Sequence, residues 1–525
     1  MKVRGDILRV YKDVHIWVGI LSSLMLFVAF YAGALTVFEP ALVRWAAPPT
    51  QLAPPPPLGA AQGLMQAVLA RHPEAAADLT LVVTPTPEQP ARVIWRERGA
   101  TRGQSTTFGA SLAPDGSLQV ERLAPAPVAG FIDALHQRVG LPLADGLART
   151  VMGVVALLYA VALVSGVVLV LPTLARDLFA LRIGANLKRM WLDVHNALGI
   201  VSLPFHLVMA LTSVVFAFHD PIYEAQGKLV YGGDMPWEAP HPVPSSPAPL
   251  LAPEALLHTV QAQLPGLTVT HLSWHQTPQG MRALVTGQDS RWGTRQRTHM
   301  STPVDPYTGA VDAHELPSHM AGYDAAVNAF FMLHFGSFGG DAVRLMYLLL
   351  GLAGAVVFYS GNLLWIESRR KSRRAGQPPP QARNAEWLAR LTVGVSLGCA
   401  AGVSATLAAA RWLPQQVAAP AAWHEGIYHA VFVAAVVWAL ARGAARAAPA
   451  LLALCTVFTL CIPLASALGA WSLAGAWRHP GAGVAVDLAA LAFAAVFAVL
   501  ARAAHRRAVR GRRDSVWAAS PAASW

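Results

Sequence analysis

The sequence predicts a mainly α-helical polytopic membrane protein with eight transmembrane helices, a tandem two-span repeat and two α+β domains outside the membrane. Three observations lead to this fold class: long apolar stretches recur along the chain, charged residues are scarce, and one set of motifs occurs twice. Soluble domains carry about 25% charged residues. This chain is 54% hydrophobic and 13% charged, which indicates that much of it is buried in lipid.

The apolar stretches are close to the ~20 residues that cross a bilayer as a helix. They cover residues 14–38, 149–172, 191–218, 343–366, 388–410, 423–441, 448–470 and 484–504. The first stretch is longer than the apolar core of a secretory signal peptide, and no convincing small-residue cleavage site follows it. We therefore expect it to be an uncleaved anchor.

The basic residues predict the orientation of the spans. They cluster before span one, between spans two and three, after span four, between spans six and seven, and in the C-terminal tail. Cytoplasmic loops carry the excess of Lys and Arg, so both termini are expected in the cytoplasm of a bacterium and the two long segments in the periplasm. The net charge of +11 comes largely from these clusters, and it does not indicate a nucleic-acid partner.

The spans and loops divide the chain into eight segments. They are the N-terminal tail and first span (1–38), a first periplasmic domain (39–146), spans two and three with their loop (147–218), a second periplasmic domain (219–340), span four (341–368), a basic and Pro-rich linker (369–386), a four-helix membrane bundle (387–505) and a cytoplasmic tail (506–525).

An internal repeat organises the first 366 residues. The motif DVHIWVG at 13–19 recurs as DVHNALG at 193–199, and each copy opens a span. Each copy continues with an outer domain, a Leu-His pair, a glycine 17 residues after that histidine, and a Ser-Gly pair; these are Leu135-His136, Gly153 and Ser165-Gly166, then Leu333-His334, Gly351 and Ser360-Gly361. Copies of equal topology are related by an axis along the membrane normal. The last four spans lack the motif and are predicted to form an appended bundle.

Histidine inside a membrane span is costly and usually functional. His15 and His195 occupy equivalent places in the repeat, and His206 follows His195 by 11 residues. On a straight helix that spacing is about 20° past three full turns, so both rings would share one face about 16 Å apart. This arrangement suits two haems stacked across a bilayer with bis-imidazole ligation.

Other metal chemistry is less well supported by the residues. No CxxC or CxxCH motif occurs, which excludes a covalent c-type haem, and the intramembrane histidines lack zinc-site spacing. Asp13 and Asp193 are interpreted as helix caps. His424 and His429 stand about 140° apart on a helix and are expected at the membrane interface.

Several spaced motifs carry a family resemblance. The elements DVHIWVG…GALTVFEP, ALHQRVG…SGVVLVLP, DVHNALG and MLHFGSFGG…SGNLLWIE resemble the PepSY-associated transmembrane family over about residues 1–368, and VDPYTGAV resembles the PepSY motif itself. The resemblance implies PepSY-like periplasmic domains and a haem-binding ferric-siderophore reductase of the bacterial inner membrane. Some relatives carry a fused flavin reductase domain, for which this chain shows no nucleotide-binding motif.

The residues and the resemblance together predict an oxidoreductase with two b-type haems. One haem would use His15 and His195, and the other would use two of His136, His206 and His334, a choice that the sequence leaves open. Electrons from a quinol or a cytoplasmic reductase would reach a ferric siderophore, whose hard oxygen ligands hold Fe(II) less tightly than Fe(III). The other expected partner is the lipid bilayer.

Two alternatives belong to other functional classes. The chain could be a non-redox membrane protein whose PepSY-like domains bind peptides or proteases, or it could be a transporter subunit, since parallel repeats occur in transporters. The four repeat spans lack charged residues deep in the bilayer for ion coupling, which argues against transport.

Overall fold

The computed structural model describes residues 4–48, 50–86, 91–98, 105–123, 126–143, 145–179, 182, 186–230, 232, 248–278, 280–294, 299–320, 322–370, 382–417, 419–472, 483–511 and 515–519. These residues form a large helical body and one antiparallel sheet. Most of the predicted linker 369–386 lies outside the described residues.

The helices alternate with the sheet strands along the first two thirds of the chain. In chain order they are α1 (Gly5–Thr36), α2 (Glu39–Ala46), α3 (Ala61–Arg71), α4 (Val128–Gln137), α5 (Asp145–Val170), α6 (Leu174–Leu178), α7 (Leu187–Val201), α8 (Leu203–Ala217), α9 (His219–Val230), α10 (Pro253–Gln263), α11 (Gly322–Phe335), α12 (Gly340–Ser368), α13 (Arg383–Ala410), α14 (Leu413–Gln416), α15 (Pro420–Arg442), α16 (Ala444–Ser472) and α17 (Val484–Arg510).

Among the described residues, seven helices are long and apolar enough to cross a membrane. The seven spans include α1, α5, α12, α13, α15, α16 and α17. An eighth span results if α7 and α8, which meet at an angle of 70°, are counted as one broken span. The chain is therefore a multi-pass helical protein, and the count of eight depends on that bend.

The predicted third span, 191–218, is not one straight helix. It breaks at Ser202, the residue between α7 and α8. Pro204 in the first turn of α8 has no backbone N–H and its ring crowds the carbonyl four residues earlier, which ends a helix. The geometric argument that placed His195 and His206 on one face of a straight helix is therefore wrong.

The sheet has seven antiparallel strands in the order β4-β3-β2-β1-β5-β6-β7. The strands are β1 (Leu79–Val82), β2 (Val93–Arg98), β3 (Ser105–Leu112), β4 (Leu118–Leu123), β5 (Thr268–Thr277), β6 (Gly280–Gln288) and β7 (Met300–Val304). β3 and β4 are joined by a tight turn that contains Gly116 at φ +80°. Apolar side chains of α3 and α10 share one buried cluster with the strands, including Leu64, Val68 and Leu256.

The two segments predicted as separate periplasmic domains are joined into this one sheet. The first strand of each segment pairs with the other, so that Leu79 lies opposite Trp274 and Val82 opposite His271. An isolated strand edge presents unpaired N–H and C=O groups, and the pairing of β1 with β5 covers one such edge on each half.

The C-terminal helices pack against the repeat rather than standing apart from it. α13 contacts α1, α4 and α12, and it packs closely against α15 and α16. Small residues allow this approach: a Cβ at Gly394 would lie 2.9 Å from the Cα of Val436. The bundle thus lies beside both copies of the repeat.

Candidate functional site

Equivalent histidines of the two copies meet between α1 and α7. The ring centroids of His15 and His195, here called the first pair, lie 6.2 Å apart with an interplanar angle of 72°. The sequence predicted that these two residues act together, and the structure brings them together.

The second span of each copy orients the histidine of the first. His15 Nδ1 lies 2.8 Å from the carbonyl oxygen of Ala162, and His195 Nδ1 lies 3.1 Å from that of Val357. A carbonyl can only accept, so each Nδ1–H donates and each Nε2 keeps its lone pair. Metal-ligating histidines are commonly held in this way.

The repeated Ser-Gly pairs lie next to the His15 and His195 rings. Ser165 Oγ lies 3.4 Å from His15 Nδ1, and Ser360 Oγ lies 3.3 Å from His195 Nδ1. A Cβ at Gly166 would come within 3.0 Å of the His15 ring, and one at Gly361 within 3.4 Å of the His195 ring. The glycines therefore leave the space that the imidazoles occupy.

The histidines of the two Leu-His motifs form the second pair. The ring centroids of His136 and His334 lie 6.0 Å apart. His136 Nδ1 lies 2.8 Å from the carbonyl oxygen of Ala29, and His334 Nδ1 lies 2.8 Å from Thr212 Oγ1. Because the Thr212 hydroxyl donates to the carbonyl of Val208 at 2.7 Å, its oxygen can accept from His334. With Nδ1–H as the donor in each ring, Nε2 is the nitrogen that carries the lone pair.

These distances would suit two imidazoles that bind the same metal ion. Metal–imidazole bonds are about 2 Å long, and adding the ring radii puts the centroids of two such ligands about 6 Å apart. In the described part of the chain, no group of three or more His, Cys, Asp or Glu side chains could hold a metal ion. A metal bound by either pair needs further ligands, which the four nitrogens of a porphyrin supply, so the residues fit a bis-histidine haem.

The two pairs stand at different heights along α1. His15 lies near the start of that helix, while the second pair contacts it at Ala29. At 1.5 Å per residue, these two positions are about 21 Å apart. This distance is about two thirds of the ~30 Å apolar thickness of a bilayer.

A cavity of about 650 Å³, here called the second-pair cavity, lies beside His136 and His334. Its apolar lining includes Leu26, Phe30 and Met209. Asp133 also lines it, and burial raises the pKa of that carboxyl above its ordinary value. Cofactor cavities are commonly mostly apolar with a few polar groups, and this cavity has that character.

His206 is not a member of either pair. Its ring contacts Phe30, Tyr159, Phe205 and Phe358, and its Nδ1 lies 2.5 Å from Tyr159 Oη. Its Nε2 is buried and has no hydrogen-bond partner in the residues that the structure describes. The structure therefore brings together His136 and His334, and it does not bring His206 to either of them.

Two other sequence interpretations need correction. Asp13 lies in the interior of α1, and Asp193 lies inside α7, where Asn186 is the N-cap. Asp193 instead accepts hydrogen bonds from the Arg182 guanidinium at 2.9 and 3.1 Å. His424, which is expected at the membrane interface, is 0% exposed because α15 packs it against Phe131 of α4.

Sequence reasoning missed the groups that position the rings. The Ser-Gly pairs were visible as repeated motifs, but nothing in the sequence connects them with a histidine 150 residues away. The triplet Ala-Leu-Thr recurs at 34–36 and 210–212, but it does not point to a histidine. Thr212 nevertheless anchors His334, and a Cβ at Gly33 would lie 2.7 Å from His136 Nδ1.

Comparison with curated proteins finds no match for this chain. The PepSY-associated TM region family matches residues 13–368, which include both copies of the repeat and all four paired histidines. The protein therefore belongs to the PepSY-associated TM region family.

Proposed function

We propose that the protein is a haem-containing reductase of the bacterial inner membrane that passes electrons to a ferric siderophore in the periplasm. The observation that carries the proposal is the presence of two histidine pairs. Within each pair the ring centroids lie about 6 Å apart, and the two pairs are about 21 Å apart along α1. Sites at two heights suit the movement of electrons across a bilayer.

The paired residues would hold one haem b each. His15 and His195 would bind the first through Nε2, and His136 and His334 the second, while the acceptors at each Nδ1 keep the rings turned toward the metal. A haem bound in this way takes up and releases single electrons. The aromatic side chains of Phe30 and Phe358 pack against the ring of His206, which is buried.

The sheet domain is connected to the end of the helical body that holds the second pair. The chain passes from α1 through α2 toward the sheet, and it returns from β4 into α4, which carries His136. A ferric chelate delivered to this side would lie nearest to the second pair. Gain of one electron converts Fe(III) to Fe(II), which oxygen ligands hold less tightly, and a quinol or a cytoplasmic reductase would replace that electron at the first pair.

The orientation is part of the proposal, with both termini in the cytoplasm and the sheet outside. The basic loops support it. Alkaline phosphatase fused at Gly116 or Gly309, both in turns of the sheet domain, should be active, and a cytoplasmic reporter at the same positions should not. Activity of the cytoplasmic reporter at either glycine would contradict the orientation.

The cofactor is tested on the purified protein from haem-replete cells. A reduced-minus-oxidised visible spectrum should show b-type bands, and acid–acetone should extract the pigment because no covalent attachment motif exists. The expected content is two haems per chain. A colourless protein would contradict the proposal and favour a non-redox role in peptide binding or transport.

The reductase activity is tested by anaerobic reoxidation. Protein reduced with dithionite and freed of excess reductant is mixed with a ferric hydroxamate or catecholate chelate and a colorimetric Fe(II) chelator. One Fe(II) should appear for each haem reoxidised. Haem that stays reduced with every ferric chelate tested would show that the protein does not reduce this class of substrate.

A further inference from the structure

The lining of the second-pair cavity consists of a large apolar part and a few charged residues. Its charged residues are Arg149, Arg344 and Asp133 among the described side chains, and most of the remaining lining is apolar. Arg149 lies in the first turns of α5 and Arg344 in the first turns of α12. Their side chains are 53% and 26% exposed, so these two cations stand where the cavity opens to solvent.

Each arginine has a carboxylate partner that is itself in water. Arg149 Nη1 lies 3.6 Å from Asp220, whose side chain is 71% exposed, and Arg344 Nη1 lies 3.2 Å from Asp341, which is 89% exposed. Exposed ion pairs of this kind contribute little to stability. The Arg149 guanidinium can therefore turn toward a ligand carboxylate at low cost.

We propose that Arg149 and Arg344 bind the two propionate carboxylates of the haem held by His136 and His334. The inference rests on the proposed function, since it takes haem as the occupant. The apolar porphyrin ring matches the apolar interior, and two anionic groups match the two cations at the opening. A carboxylate placed deeper would lose its hydration without a cation to replace it.

This binding would fix the direction of the haem in the cavity. The propionate edge would face the opening and the opposite edge would face Phe30 and Tyr159, which also line the cavity. Guanidinium groups bind carboxylates through two parallel N–H···O bonds, so they would limit rotation of the haem in its own plane. The arginines are positioning residues in this proposal, because the histidines alone bind the metal.

The test compares haem with haem dimethyl ester, whose propionates are uncharged. It uses the full chain from haem-limited cells in the His195→Ala background, so that the second pair is the site that is titrated. The variants are Arg149→Gln, Arg344→Gln and their combination. Arg122→Gln is the control, because Arg122 is exposed on β4 and does not line the cavity. Binding is followed by the Soret band and the bound haem by its midpoint potential.

Each cavity substitution should weaken haem binding about tenfold, or ~1.4 kcal/mol, and the pair about a hundredfold. The chain with both arginines should bind the dimethyl ester weakly, and the arginine substitutions should leave that affinity unchanged. The midpoint potential should fall when a nearby positive charge is removed, because Fe(III) is then less destabilised.

Two outcomes would overturn the inference. Equal losses for haem and its ester would show that the arginines act on folding alone. Unchanged haem affinity with a raised KM for a carboxylate-bearing ferric chelate would assign the same cations to the substrate. Absence of any Soret band before the arginines are substituted would instead contradict the proposed function itself.

Discussion

Gly33 allows the sharpest steric test of the second pair. A Cβ at this position of α1 would lie 2.7 Å from His136 Nδ1, about 0.7 Å inside the 3.4 Å at which ordinary contact begins. The ring cannot tilt away without stretching its 2.8 Å hydrogen bond to Ala29. Metal–ligand distances vary by only about ±0.2 Å. Gly33→Ala should therefore lower the content from two haems per chain to about one.

Alanine substitutions at Gly166 and Gly361, which lie beside the first pair, should have smaller effects on haem binding than Gly33→Ala. A Cβ would lie 3.0 Å from the His15 ring at Gly166 and 3.4 Å from the His195 ring at Gly361. We expect Gly166→Ala to weaken the first haem partly and Gly361→Ala to be tolerated. The assays are the haem-to-protein ratio from pyridine haemochromes and the low-spin signal in electron paramagnetic resonance.

Gly19→Ala is the matched control, since Gly19 is also inside α1 and a Cβ there meets nothing within 4 Å. Both α1 substitutions gain the same helix propensity, roughly 1 kcal/mol, so a difference between them reports the contact with His136. If Gly33→Ala keeps the haem content and spectrum of Gly19→Ala, the reasoning from the ring position is refuted.

Further predictions concern the remaining histidines and one buried carboxylate. His334→Ala should remove one of the two haems, whereas His206→Leu should leave both, because the His206 ring contacts neither pair. The haem-to-protein ratio measures this difference. Loss of a haem in His206→Leu would contradict the pairing. Arg182→Ala should lower the melting temperature more than Arg176→Ala, because it leaves the buried Asp193 carboxylate without its cation. Arg176, whose side chain is 75% exposed, is the comparison. Equal melting temperatures of the two variants would show that the Arg182–Asp193 ion pair does not contribute to stability.

The repeat made much of the site predictable from the sequence. It placed His15 and His195, and likewise His136 and His334, at equivalent positions, and the structure brings each of these couples together. The prediction that His195 and His206 share one helix face was wrong. It assumed a straight axis across Pro204, although a proline in that position ends one helix and redirects the next.

Long-range pairing was the part that no local pattern could indicate. β1 and β5 are about 190 residues apart, and each has the length and composition of a strand in either of two separate sheets. The burial of His424 depends likewise on where α4 docks, since Phe131 of that helix covers it. Such contacts depend on the shape of surfaces that form only after the elements have folded.

One symmetry relation accounts for the pairing and for the exclusion of His206. β1 with β5, His15 with His195, and His136 with His334 each join equivalent elements of the two copies, as expected if an approximate twofold axis relates the copies. The offset between the copies at the start of the spans is 180 residues, from His15 to His195. The same offset relates His206 to Leu26, which has no ligand atom. His206 therefore has no equivalent histidine in the first copy with which it could form a third pair of this kind.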